Sequence, residues 1–265
     1  MRFFAFGCSF TRWAFPTWAD YLAVGLNSKE YYNYAKEGAS NQYILYMLGE
    51  ALENQKITEN DYVAVMFTTH ARYSFYKPDS GWITNGDVLN GYPRGDECHP
   101  LYQEKYKYLD EHFWSPEFGL QQSWHSAFIV KKLLETLNIK HTLLQGPANS
   151  EIFYNRITDQ QLALMYENKF NAIVNYPENL ELFQAQHKNN VRISWKGGSE
   201  NDGHPTTEIH FDYFKRKFPQ YNNDTVNRYY QEIVDNMTLE TQRETSQICN
   251  SIQRKYVPKV EWMSS

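Results

Sequence analysis

Cysteine is scarce in this sequence of 265 residues: Cys8, Cys98 and Cys249 are the whole complement. An odd number at wide spacing sets out neither a disulfide framework nor a zinc knuckle, and no metal is expected. Basic residues are also few, 26 against 31 acidic ones, and they form no block; the formal net charge is −5. Nucleic acid is therefore not an expected partner. No apolar run approaches the roughly 20 residues of a membrane-spanning helix. The opening run Phe3 to Phe6 is too short for a signal peptide. The expectation is a cytoplasmic protein of a reducing compartment, with no membrane partner and room for an oligomer. Internal repeats and low-complexity tracts are missing too, which excludes solenoids and linkers.

Aromatic residues, by contrast, are abundant: 21 Tyr, 16 Phe and 7 Trp. Part of this stock sits in a long irregular stretch, about 73–120, with glycines and prolines interspersed. A loop of that length within a compact domain is a functional excursion or a separately packed one. Stacked Trp and Tyr there suit a lid or a glycan-binding wall, and a self-packed excursion suits them equally.

Elsewhere the pattern alternates. Phe3 to Phe6, Glu30 to Ala35, Tyr62 to Phe67 and Ile139 to Leu144 read as strands. Tyr62 to Phe67 is apolar throughout, as a strand covered on both faces should be. Helical spacing appears around Trp18, Tyr21 and Leu22, with Pro16 suited to the first turn. It recurs over Ile44, Leu48 and Leu52 behind a Ser40 cap, over Gln121 to Leu137, over Leu162 to Val174 and over Thr206 to Phe218. The segment from Asn175 to Asn201 is ambiguous, and Asn222 to Tyr256 reads as weakly amphipathic helix. Alternation of this kind predicts an α/β fold: a three-layer α/β/α sandwich with a parallel central sheet. The expected division is an α/β domain over 1–221, interrupted at about 73–120, and a helical extension over 222–265.

In open parallel sheets the reactive site lies beyond the carboxyl ends of the strands. That rule points to Gly7 to Thr11, Glu37 to Asn41, Thr68 to Arg72 and Gly146 to Asn149. Ser9 follows the first strand directly, on a turn that Gly7 permits, and so meets the first need of nucleophilic acyl chemistry. Asn201-Asp202-Gly203-His204-Pro205 puts a carboxylate beside an imidazole in a turn. His204 would take the proton from Ser9, and Asp202 would hold the ring in the right tautomer. The Gly38 N–H could donate to an oxyanion. Asn41 reads as a helix cap or a substrate contact. A metal site from Asp202, His204, His210 and Asp212 matches no strong zinc spacing.

These residues resemble the blocks of the SGNH (GDSL-like) hydrolase superfamily. The first block, usually Gly-Asp-Ser, stands here as Gly7-Cys8-Ser9-Phe10-Thr11. Block two resembles Asn33-Tyr34-Ala35-Lys36-Glu37-Gly38 followed by Ser40-Asn41, and the last block resembles Asp202-Gly203-His204-Pro205. The form with Cys before the serine is similar to SGNH-like proteins of bacteriophage and environmental bacteria, which implies virion association for a phage-encoded chain. The resemblance implies Ser9 as nucleophile, His204 as base, an oxyanion hole from the Ser9 and Gly38 N–H groups, and no cofactor. It also implies ester hydrolysis, with O-acetyl groups on a carbohydrate as one substrate class. A non-catalytic binding or virion protein and an acyltransferase are the other readings.

Two departures stand out. The family's third-block asparagine is absent, and Thr68-Thr69-His70-Ala71-Arg72 occupies its place, so Thr69, His70 or Arg72 would have to substitute. A missing donor costs about 3 kcal/mol of transition-state stabilisation when nothing replaces it. Where the family has Asp three residues before His, this chain has Asn201. Asp202 is then the orienter, with Glu200 or a triad lacking an acid as alternatives.

Overall fold

A computed structural model describes residues 1–78, 81–84, 104, 107–108, 111–146, 149, 151–174, 193–194, 201–202, 204–237 and 241–263. Five parallel strands form the central sheet: β1 (Arg2–Phe6), β2 (Glu30–Asn33), β3 (Tyr62–Phe67), β6 (Lys140–Gln145) and β9 (Lys259–Trp262). Their spatial order is β6-β3-β1-β2-β9. A small antiparallel pair, β4 (Phe75–Lys77) and β5 (Gly81–Ile83), opens the aromatic insertion. A further pair, β7 (Ile193–Ser194) and β8 (Asn201–Asp202), precedes the last block.

Helices cover both faces, as the alternating pattern requires. On one side α2 (Asn41–Gln55), α3 (Pro116–Thr136) and α5 (Gln160–Val174) pack in a row. On the other lie α1 (Trp18–Gly25), α6 (Thr207–Lys217), α7 (Asp224–Asn236) and α8 (Gln242–Tyr256). A short helix, α4 (Glu151–Asn155), connects β6 to α5. The three-layer α/β/α architecture is thus observed.

The aromatic stock is spent largely in this core. Phe3 and Phe4 on β1 are in register with Tyr31 and Tyr32 on β2, and both pairs stack, with ring centroids 5.2 and 4.8 Å apart. Because successive side chains of a strand point to opposite faces, this ladder places one stacked pair in each layer. Cross-strand aromatic pairs of this kind are each worth about 0.2–1 kcal/mol beyond their neighbours.

Several boundaries differ from expectation for identifiable reasons. The third helix begins at Pro116, five residues before Gln121, because Ser115 caps it through Phe118 N–H and Pro116 occupies the first turn. Pro16 lies just outside the first turn of α1, because Thr17 holds the cap position: its N–H and Oγ1 both donate to the Asp20 carboxylate. The tail is not weakly amphipathic. Val226, Tyr229 and Ile233 on α7, and Thr245, Cys249 and Ile252 on α8, form buried faces at helical spacing. Nor is the tail an extension alone, since it ends in β9, which pairs with β2 as a fifth strand. Of the insertion at about 73–120, much lies outside the described residues, as do most of Asn175 to Asn201 and Cys98.

Candidate active site

The connections define where a site can form. From β1 the chain passes through α1 on one face to β2, then through α2 on the opposite face to β3, on the other side of β1. β1 is therefore the topological switch point, and the crevice beyond its carboxyl end is where open α/β sheets bind ligands. Ser9 follows that end of β1, three residues beyond Phe6.

The turn that carries Ser9 is tightly built. The N–H groups of Thr11 and Arg12 both donate to the Cys8 carbonyl, at 2.8 and 3.2 Å. Asn33 Nδ2 donates to the Thr11 carbonyl, and the Thr17 hydroxyl shares its one proton between that carbonyl and Asp20 Oδ2. Gly7 is required here because a Cβ on it would fall 2.1 Å from Thr11 Oγ1. Cys8 is buried as a free thiol, and Ser9 beside it is 2% exposed.

Beyond β2 the chain continues along the same turn, with Lys36 N–H donating to the Gly7 carbonyl. Gly38 then adopts φ +68°, the left-handed region that glycine enters without steric cost. Asn33 acts within the scaffold: besides binding Thr11 it donates to Tyr31 Oη and accepts from Ala35 N–H.

His204 comes from the far end of the sequence and is fixed by α6. Thr207 Oγ1 bonds to Tyr21 Oη at 2.6 Å and donates to the Pro16 carbonyl at 3.0 Å, which holds the start of α6 against the Ser9–Pro16 segment. The imidazole stacks on Trp13 with centroids 3.6 Å apart and an interplanar angle of 22°. Phe10 stands 5.7 Å away on another side. The structure thus brings His204 against the turn that bears Ser9. The Asp202 backbone lies in β8, opposite Ile193; its side chain, like Glu200, is outside the described residues.

The residues after β3 are placed differently. His70 is 2% exposed, its ring 4.7 Å from that of Phe170, and burial pushes its pKa down to about 3. Its N–H donates to Asn149 Oδ1. A neutral ring in the apolar layer serves packing between the sheet and α5. Asn41 is not a helix cap; Ser40 holds that position and accepts from Tyr43 N–H. The Asn41 amide instead clamps the end of β3, accepting from Thr68 N–H at 2.8 Å and donating to the Thr68 carbonyl and to Ser123 Oγ. Arg72 and Asn41 border a space of only about 10 Å³ against α3, too small for a substrate group. Thr69 has a buried Oγ1 with no hydrogen-bond partner.

His210, on α6, is a further buried imidazole. It is fully enclosed, neither ring nitrogen has a hydrogen-bond partner, and burial, with a smaller push from His204, lowers its pKa to about 3. No group of His, Cys, Asp and Glu among the described residues could hold a metal.

Beside the Ser9 turn opens a cleft of about 710 Å³, walled by Arg12, Trp13, Lys36, Glu37, Met263 and the first turn of α8. Its Trp13 wall is the ring on which His204 stacks.

The fold and site define a parallel α/β/α protein with a serine at its topological switch point. No protein-family model matches the chain, and no curated protein does. Solved structures do. The chain is similar to the psychrotrophic esterase EstA from Pseudoalteromonas sp., at TM-score 0.44 and 12% identity over 87% of this chain and 98% of that one. It is similar to a putative acylhydrolase from Bacteroides fragilis, at TM-score 0.37 and 16% identity over 86% and 88%. It is also similar to an acetylxylan esterase from Geobacillus stearothermophilus, at TM-score 0.46 and 11% identity over 84% and 95%.

Proposed function

We propose that the chain is a serine esterase of the SGNH type, with Ser9 as nucleophile, His204 as base and Asp202 as orienter. The observation that carries this reading is the seat of His204: a residue from the opposite end of the sequence, held on Trp13 in the turn that bears Ser9. In the reaction, Ser9 Oγ attacks the ester carbonyl carbon while His204 accepts its proton. The oxyanion that forms is met by the Ser9 and Gly38 N–H groups, with Thr69 Oγ1 as a third donor in place of the family's asparagine. Collapse breaks the ester C–O bond, and the leaving alkoxide takes the proton from His204. Water, activated by the same imidazole, then attacks the acyl-enzyme and frees Ser9.

This route asks nothing of a cofactor. O-acetyl groups on a carbohydrate suit a cleft with an aromatic wall, Trp13. His70, Asn41 and Arg72 act in this reading as scaffold, holding the β3 end against α3 and α5.

Acetate release from 4-nitrophenyl acetate and from acetylated xylo-oligosaccharides tests it. Ser9→Ala and His204→Ala should each lower kcat by at least about a thousandfold. Hydrolysis at the wild-type rate by Ser9→Ala would overturn the assignment. A binding protein on the same fold is the alternative reading. It is favoured by the end of β3, where His70 is turned into the core and no asparagine stands in the family's donor position. Tight retention of an acetylated glycan without acetate release would establish it.

A further inference from the structure

The cleft beside Ser9 has a cationic character that ester hydrolysis alone does not call for. Arg12 is half-buried, and its guanidinium lies over the Trp262 ring, 5.3 Å from the centroid. Among the described residues no carboxylate forms a salt bridge with it. Removal from water lowers its pKa, opposed in part by Tyr31, Tyr43 and Asp20. A cation taken out of water without a pairing anion is a cost the fold bears. Arg12 is also placed geometrically, because its guanidinium sits against the Trp262 ring while its side chain lines the cleft.

The same cleft is lined by Lys36 and Arg243, against a single acidic wall residue, Glu37. The first turn of α8, from its Thr241 cap to Arg243, lines the same cleft, with Glu244 bonded to the Thr241 hydroxyl. About 710 Å³ accommodates a group the size of a sugar ring.

We propose that this cleft binds an anionic group, a carboxylate or a phosphate, on the alcohol part of the substrate, with Arg12 as its main ligand. The proposal rests on the esterase reading for its placement, since Trp13 walls the cleft on one side and carries His204 on the other. The substrate class is then an ester of an acidic alcohol, such as an acylated uronate or a phosphorylated polyol. Arg12 is a specificity residue and not a catalytic one.

Two experiments test this, the second of them independent of hydrolysis. In the first, kcat/KM is compared for 4-acetoxybenzoate, its methyl ester and 4-acetoxyphenyl phosphate. The wild type should favour one anionic ester over the neutral methyl ester by about tenfold or more, and Arg12→Gln should erase that ratio. The anion preferred identifies carboxylate or phosphate as the natural group. A ratio unchanged in Arg12→Gln would overturn the proposal.

In the other, D-glucuronate and inorganic phosphate are titrated against the fluorescence of the seven tryptophans, of which Trp262 lies against Arg12 and Trp13 walls the cleft. Quenching that saturates, weakens with added salt and disappears in Arg12→Gln supports the site even for a chain that hydrolyses nothing. No saturable quenching with either anion would refute it. Arg243→Gln, at an exposed rim position, provides the same test should Arg12→Gln fail to fold; it should weaken binding severalfold.

Discussion

Two buried imidazoles make acid stability a quantitative test of the packing. His70 and His210 both have pKa values near 3 because burial disfavours their charged forms. Their unfolded value is near 6.5, so the unfolded chain binds protons that the folded chain refuses. Stability from these groups is fully present above pH 6.5 and is lost as pH falls toward 3. At pH 4 each should cost about 3 kcal/mol relative to pH 7.

Asp20 works in the opposite sense. Burial raises its pKa to about 6, partly offset by hydrogen bonds from Thr17 N–H, Gln253 and the Thr17 hydroxyl. The folded state therefore takes up this proton more readily than the unfolded one, and Asp20 returns about 2 kcal/mol on acidification over the same interval. From these three groups together the net loss between pH 7 and pH 4 is about 4 kcal/mol, a large share of the 5–15 kcal/mol typical of a domain; Glu117, held down to about 2, adds to it. Guanidinium denaturation at pH 4, 5, 6 and 7 measures it directly. Between pH 4 and 6 the slope should correspond to about one net proton taken up on unfolding. His210→Leu, which removes a ring with two unpartnered nitrogens, should leave stability at pH 7 within about 1 kcal/mol and abolish that slope. A wild type equally stable at pH 4.5 and 7, or a slope untouched by His210→Leu, would refute the reasoning.

Other consequences follow from single contacts. Gly7→Ala forces a Cβ to within 2.1 Å of Thr11 Oγ1 and should destabilise by about 3 kcal/mol or more, with loss of the proposed esterase activity; thermal unfolding and an activity assay report both. Asn41→Ala leaves the Thr68 N–H and the Ser123 hydroxyl without their partner and should cost about 2–4 kcal/mol by denaturant titration. Ser40→Ala removes the α2 cap and should cost about 1 kcal/mol in the same measurement. Trp262→Ala removes the platform under Arg12 and the edge contact with Tyr31. Protection of the β9 amides in hydrogen exchange should fall, while that of β3 is retained.

Much of this molecule could be read from sequence where a single physical signal dominated. Tyr62 to Phe67 is apolar at every position because both its faces are covered, and its bounds as a strand are those observed. Ser40 announces α2 because a hydroxyl before an apolar helical face has one good use. The fifth strand was hidden for the opposite reason. Lys259-Val260-Glu261-Trp262 mixes charge and apolar residues, and it becomes a strand by pairing with β2, where Lys259 meets Glu30 and Trp262 meets Tyr31. Helix α8 is indistinct in sequence because Thr245 and Gln253 occupy buried positions, and the Gln253 amide is there to bind Asp20. The Ser9 turn, Gly38 and His204 stood out through residue type and order. That His70 and Asn41 turn into the scaffold could not be read, because strand-end position alone does not say which way a side chain faces.

The central claim is that Ser9 is an activated nucleophile. Labelling with a fluorophosphonate, followed by mass mapping of the adduct in wild type, Ser9→Ala and His204→Ala, tests it most directly. The account predicts a stoichiometric adduct on Ser9, none in Ser9→Ala, and labelling slowed at least about a hundredfold in His204→Ala. A folded wild type that stays unlabelled, or an adduct elsewhere that persists in Ser9→Ala, would contradict it.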